Sequence, residues 1–89
     1  MKIKKGYQLK LKSGSYVIER TNKAVGEPFN SIVLTETSAF LWNILKEKEA
    51  TKTQMLDALI NNFDISTVLA LGDIDVFVRT MKENGIIED

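Results

Sequence analysis

Between Leu34 and Leu45 the chain reads LTETSAFLWNIL, where a continuous apolar run stops and a capped, strongly apolar helix starts. A threonine, Thr35 or Thr37, stands where its side-chain oxygen can accept a hydrogen bond from one of the first free helical N–H groups. Glu36 sets negative charge at the positive end of the helix dipole. Phe40, Leu41, Ile44 and Leu45 fall on one stripe, and Trp42 lies on its flank at roughly 100° per residue. A helix with that distribution is expected to be buried on more than one side, with strands before it.

The segment before this helix has the period of a sheet. Tyr7, Leu9 and Leu11 alternate with Gln8, Lys10 and Lys12, as expected when one face is buried and the other meets water. Ser13-Gly14-Ser15 supplies a turn, and Tyr16 to Arg20 follows as the second strand of a hairpin. The polar stretch from Thr21 to Pro28, with Asn22, Gly26 and the only proline, predicts the longest loop before a third strand over Phe29 to Leu34. Ile32, Val33 and Leu34 are consecutive, so this strand has apolar side chains on both faces. Its second face calls either for a packed helix or for an edge and groove left open to a partner.

After the first helix, Lys46-Glu47-Lys48-Glu49 is a short charged link. Thr51 with Gln54 then matches a capping box for a second helix beginning at Lys52. Met55, Leu56, Leu59, Ile60 and Phe63 form its apolar stripe, expected to face the first helix, and Asn61 and Asn62 mark its fraying end. Asp64 or Ser66 can cap a third helix running from about Thr67 to Asn84. Gly85 is placed to end it in a left-handed conformation, with Ile86 and Ile87 folding back onto the core. On this helix Ala70, Leu71, Ile74, Phe77, Val78 and Met81 share an arc of roughly 120° that accounts for the buried face. Leu69, Val76 and Thr80 lie on a neighbouring strip, with Asp73 between that strip and Phe77. The strip reads either as ordinary surface or as one wall of a ligand groove. Gly72, costing about 1 kcal/mol against alanine in a helix interior, reads as a tolerated defect or a point of close approach.

The expectation is an α+β chain forming a single domain over residues 1–89. Its three-stranded antiparallel sheet followed by three helices gives the order of a rearranged winged helix-turn-helix. At 89 residues and 44% hydrophobic content it can fold alone, burying about two-thirds of the surface its unfolded chain exposes. There is no cysteine and no histidine, which removes the thiolate nucleophile, the commonest general base and the commonest metal ligands. No phosphate-binding loop, dinucleotide fingerprint or zinc motif is present, and Asp73 and Asp75 diverge by roughly 160° on a helix, too far to work as a carboxylate pair. These features point away from an enzyme and from any cofactor or metal. No apolar run approaches the ~20 residues of a membrane span, so the cytoplasm is the expected compartment.

Charge sums to zero but is unevenly spread. Lys2, Lys4, Lys5, Lys10 and Lys12 crowd the start, as a solvated edge strand guarded against aggregation or as an anion-binding patch. From Asp57 onward the acids Asp57, Asp64, Asp73, Asp75, Glu83, Glu88 and Asp89 face only Arg79 and Lys82. A winged helix usually suggests DNA, yet before Arg79 the third helix offers a duplex two aspartates and no base. Nucleic-acid binding or transcriptional regulation therefore stands second to an extended peptide added to a free strand edge, with the neighbouring helix supplying side-chain pockets. The same edge suits a second copy of the chain, giving a homodimer.

The residues Leu34-Thr35-Glu36-Thr37-Ser38-Ala39-Phe40-Leu41-Trp42, together with Asp73, Phe77 and Gly85-Ile86-Ile87, resemble a known family pattern. It is that of the coenzyme PQQ synthesis protein D (PqqD) family and the related precursor-peptide recognition elements of ribosomal natural-product pathways. The resemblance spans nearly the whole chain. It departs at Thr35, where the family usually has Asn, and at Lys48-Glu49, where it has an acidic-Gly turn. The resemblance implies a non-catalytic domain, a peptide chaperone that binds the leader of a precursor peptide and presents it to a modifying enzyme, often a radical SAM maturase. It further implies that the leader adds as a strand beside Asn30, Ser31, Ile32, Val33 and Leu34, and packs on Leu69, Asp73, Val76, Phe77 and Thr80 of the third helix.

Overall fold

A computed structural model of the chain describes residues 1–21 and 31–88. Its elements run β1 (Lys2–Ile3), β2 (Tyr7–Lys12), β3 (Ser15–Arg20), β4 (Ile32–Leu34), α1 (Glu36–Glu47), α2 (Lys52–Asn62), α3 (Thr67–Glu83) and β5 (Ile87–Glu88). The expected antiparallel sheet is present in the order β2-β3-β4, and the three helices follow it.

The hairpin pairs from Tyr7↔Arg20 to Lys12↔Ser15, so only Ser13 and Gly14 form the turn. Both have positive φ, 50° and 81°, the geometry whose twist matches that of the flanking strands. Glycine adopts it freely, and Ser13 is carried into it by the register. Of the expected inward row, Tyr7 and Leu9 are partly buried, but Leu11 is 67% exposed. It is the last inward position before the turn, and its partner Tyr16 is itself only partly covered.

The third strand is shorter than expected. β4 pairs with β3 only over Tyr16↔Leu34, Val17↔Val33 and Ile18↔Ile32, and Ser31 stands outside it, exposed. The predicted loop with Asn22, Gly26 and Pro28, and the predicted strand residues Phe29 and Asn30, lie outside the described residues. A second, two-stranded sheet was not expected: β1 and β5 pair through Lys2↔Glu88 and Ile3↔Ile87, extended by Lys4 N–H donating to the Ile86 carbonyl at 2.8 Å. Two-residue strands are too short to leave a periodic signature.

Each helix begins as its sequence implies. Thr35 caps α1 by accepting from Ser38 N–H at 3.2 Å, and Thr51 and Gln54 form the complete capping box of α2. Ser66, not Asp64, caps α3. At the far end of α3, Gly85 (φ 68°) donates to the Lys82 carbonyl and Ile86 to the Met81 carbonyl, the paired bonds of a Schellman motif. That motif turns Ile86 inward, where both it and Met81 are fully buried.

The core joins Ile18 and Leu34 of the sheet to Leu41, Trp42 and Leu45 of α1, Met55 and Leu59 of α2, and Ala70, Ile74, Phe77, Val78 and Met81 of α3. Trp42 is buried although it lies off the main stripe, so α1 is covered on more than one side as expected. Phe40 of α1 meets Phe63 edge-on at 5.1 Å. Leu71, expected in the buried arc of α3, is 42% exposed because it sits at the arc's margin.

Candidate functional site

The hairpin turn determines which backbone groups β4 leaves free. A two-residue turn closes on a hydrogen-bonded pair, here Lys12↔Ser15, and bonded pairs then alternate along an antiparallel ladder. Ser15, Val17 and Glu19 therefore direct their N–H and C=O groups at β2, and Tyr16 and Ile18 direct theirs at β4. Their partners Leu34 and Ile32 are bonded to β3. Val33 is left with its N–H and C=O pointing away from the sheet, along the edge where β4 has no further strand among the described residues.

Side chains follow the same alternation. Ile32 and Leu34 turn toward the helices and join the core, while Val33 projects from the outer face and is 68% exposed. The second face of this strand is thus uncovered at Val33. On α3, Leu69 and Val76 are 63% and 57% exposed, Thr80 and Asp73 are partly buried, and Phe77 at 1% belongs to the core. Leu69, Val76 and Thr80 form the off-core strip anticipated from helical spacing, with Asp73 on its margin. Ser31 is exposed at the start of β4, and Asn30 lies outside the described residues.

One bond ties the strand side to the helix side. Thr37, in the first turn of α1 and three residues beyond β4, donates its hydroxyl to Asp73 Oδ2 at 3.1 Å. Thr37 Oγ1 is also 3.2 Å from Thr35 Oγ1, which accepts from Ser38 N–H. Because an ionised carboxylate only accepts, the direction of the relay follows: Ser38 N–H to Thr35, Thr35 to Thr37, Thr37 to Asp73. Sequence reasoning weighed Thr37 only as an alternative cap. Its actual role is to hold α3 against the β4–α1 junction.

The electrostatics differ between the two faces. On the outer face of the hairpin Lys10 and Lys12 both pair with Glu19. The Lys12 bond, opposed by desolvation and aided by the Lys10 bond and the charges of both lysines, holds its carboxyl below the ordinary glutamate range. Lys2 pairs with Glu88. The lysine-rich start is thus partly neutralised internally, which weakens its reading as an anion patch. At the β4–α3 side Asp73 and Glu36 enter no ion pair among the described residues, and α3 carries no Lys or Arg from Thr67 through Val78. No group of three or more potential metal-ligating side chains gathers among the described residues.

Comparisons with known proteins bear on this arrangement. The family model for coenzyme PQQ synthesis protein D (PqqD) matches residues 27–87. Among solved structures, the chain is similar to TbiB1 in complex with the TbiA(beta) leader peptide, with 16% sequence identity, a TM-score of 0.72, and coverage of 99% of this chain and 95% of that chain. At that identity the likeness is one of fold. No curated protein matches.

Proposed function

The chain belongs to the coenzyme PQQ synthesis protein D (PqqD) family, and on that premise we propose that it binds the leader segment of a ribosomally made precursor peptide and presents it to a modifying enzyme. What supports this reading is the backbone edge at Val33, which has no further strand among the described residues, together with the exposed Leu69 and Val76 of α3, between which Asp73 is bonded to Thr37 three residues beyond β4. An extended leader adds to that edge as a further strand, gaining main-chain hydrogen bonds from Val33, while alternate side chains meet α3. The fold shared with TbiB1, whose solved structure holds a leader peptide, supports leader binding as the function.

On this reading the chain is an adaptor without catalytic groups of its own, and the chemistry belongs to its partner, a radical SAM maturase or another peptide-modifying enzyme. Its place is the cytoplasm, where precursor peptides are made, and no helix among the described residues is long and apolar enough to cross a membrane. The edge also fits a second copy of the chain, so homodimer formation and leader binding exclude one another. The winged-helix regulatory reading is disfavoured by the acidic character of α3, where the partly buried Asp73 and the exposed Asp75 precede the first base.

The test is fluorescence anisotropy of labelled leader peptides encoded beside the gene, measured against a DNA duplex across a range of salt. Leader binding that persists at high salt supports the adaptor. Binding of duplex alone, falling steeply with salt, would replace it with the regulatory reading.

A further inference from the structure

The alternation at β4 prescribes where the side chains of an added strand go. The residue paired with Val33 projects from the outer face beside Val33, and its two neighbours turn toward the helices, one alongside Ile32 and the other alongside Leu34. These two positions differ chemically. The Leu34 end leads within three residues to Thr37, and so to the Asp73 carboxylate that Thr37 holds at 3.1 Å, with Glu36 exposed on the same turn. At the other end Ile32 itself is apolar and only partly buried against the core. Neither acid is paired with a base among the described residues, and Lys10 and Lys12 are held by Glu19 on the other face of the sheet.

Resting on the leader-binding reading above, we infer that the groove takes a leader in which a Lys or Arg stands two residues from an apolar side chain. The cation lies over Asp73 and the apolar residue beside Ile32. An acidic residue at the first position is repelled by Asp73 and Glu36 in a half-buried setting, where charges are screened less than on open surface. The Asp73 carboxylate therefore has two roles, as the acceptor that fixes α3 to α1 and as the charge that selects the ligand. Only the second depends on its being ionised, because an asparagine keeps an oxygen for Thr37.

The roles separate in a selection of phage-displayed random linear peptides on the immobilised full chain, run in parallel on Asp73→Asn. Peptides enriched on the wild-type chain are expected to carry Lys or Arg two residues from Leu, Ile, Val or Phe, and those from Asp73→Asn to keep the apolar preference and lose the basic one. For a selected peptide, Lys→Gln should weaken binding roughly twofold to fivefold on the wild-type chain, the range of a partly exposed ion pair, and leave binding to Asp73→Asn nearly unchanged. Enrichment without charge preference, or an equal effect of Lys→Gln on both proteins, would overturn the inference while leaving the adaptor reading intact. Enrichment of no peptide on the wild-type chain would sink that reading, and the inference with it.

Discussion

Thr37 and Asp73, 36 residues apart in sequence, are joined hydroxyl to carboxylate at 3.1 Å, and this bond sets α3 beside the end of β4. Both belong to the two separated motifs that carry the family resemblance, so residues that read as a helix start and a helix face prove to be one contact. Asp73 also places negative charge near the N-terminus of α1, where the helix dipole favours it.

Thr37→Val removes the hydroxyl at nearly constant shape and leaves a partly buried carboxylate without this donor. Urea unfolding should show a loss of about 1–2 kcal/mol, with Thr37→Ser close to the parent. Equal stability of the valine and serine variants would show that the bond contributes nothing.

Val33→Pro tests the free edge. Proline deletes the one β4 N–H that points outward, while the N–H groups of Ile32 and Leu34 that serve β3 remain. Leader binding should fall at least tenfold with the circular dichroism spectrum retained. Val33→Thr, which keeps the N–H, should bind nearly as the parent does.

Val76→Asp and Leu69→Asp alter exposed positions and should leave the fold intact, since neither residue is in the core. Each should weaken a leader whose apolar side chain lies against that strip by roughly tenfold, the scale of one lost apolar contact plus a charge set against an apolar group. Undiminished binding in both variants would move the groove away from this strip.

Gly72 is not a point of close approach to any described part of the chain. A Cβ built there meets nothing within 4 Å among the described residues, so none of them requires the glycine. Gly72→Ala should stabilise the chain by up to about 1 kcal/mol, raising Tm by roughly 4–8 °C per kcal/mol in a domain of this size.

Glu19 supplies the pH dependence. Its carboxyl is held below the ordinary range by Lys12 and Lys10, so the folded state binds that proton less readily than the unfolded chain does. The contribution of this trio is fully present above the ordinary glutamate pKa and is lost as pH falls through the depressed value. An NMR titration of the Glu19 carboxyl should give a midpoint below that of a free glutamate, returning toward it in Lys12→Ala.

Much of the architecture was legible because it rests on local rules. The Thr51 and Gln54 box, the Gly85 cap and the apolar arcs of the helices are decided by residues within one or two turns of each other. The off-core position of Leu69 and Val76 followed from the same periodicity. What was not legible depends on contacts far apart in the chain, the β1–β5 pairing and the Thr37–Asp73 bond, while Leu11 and Leu71 are exposed because they stand at the margins of their buried rows. The special status of Val33 required the turn length first, since a turn of Ser13-Gly14-Ser15 would have reversed which β4 residues face the edge.

The most direct test is amide hydrogen exchange of the chain, alone and saturated with a cognate leader peptide, read residue by residue. The account predicts that Ile32 and Leu34 are protected in both states and that the Val33 amide exchanges rapidly when free and becomes protected when the leader is bound. A Val33 amide that stays fast at saturation would contradict strand addition at β4.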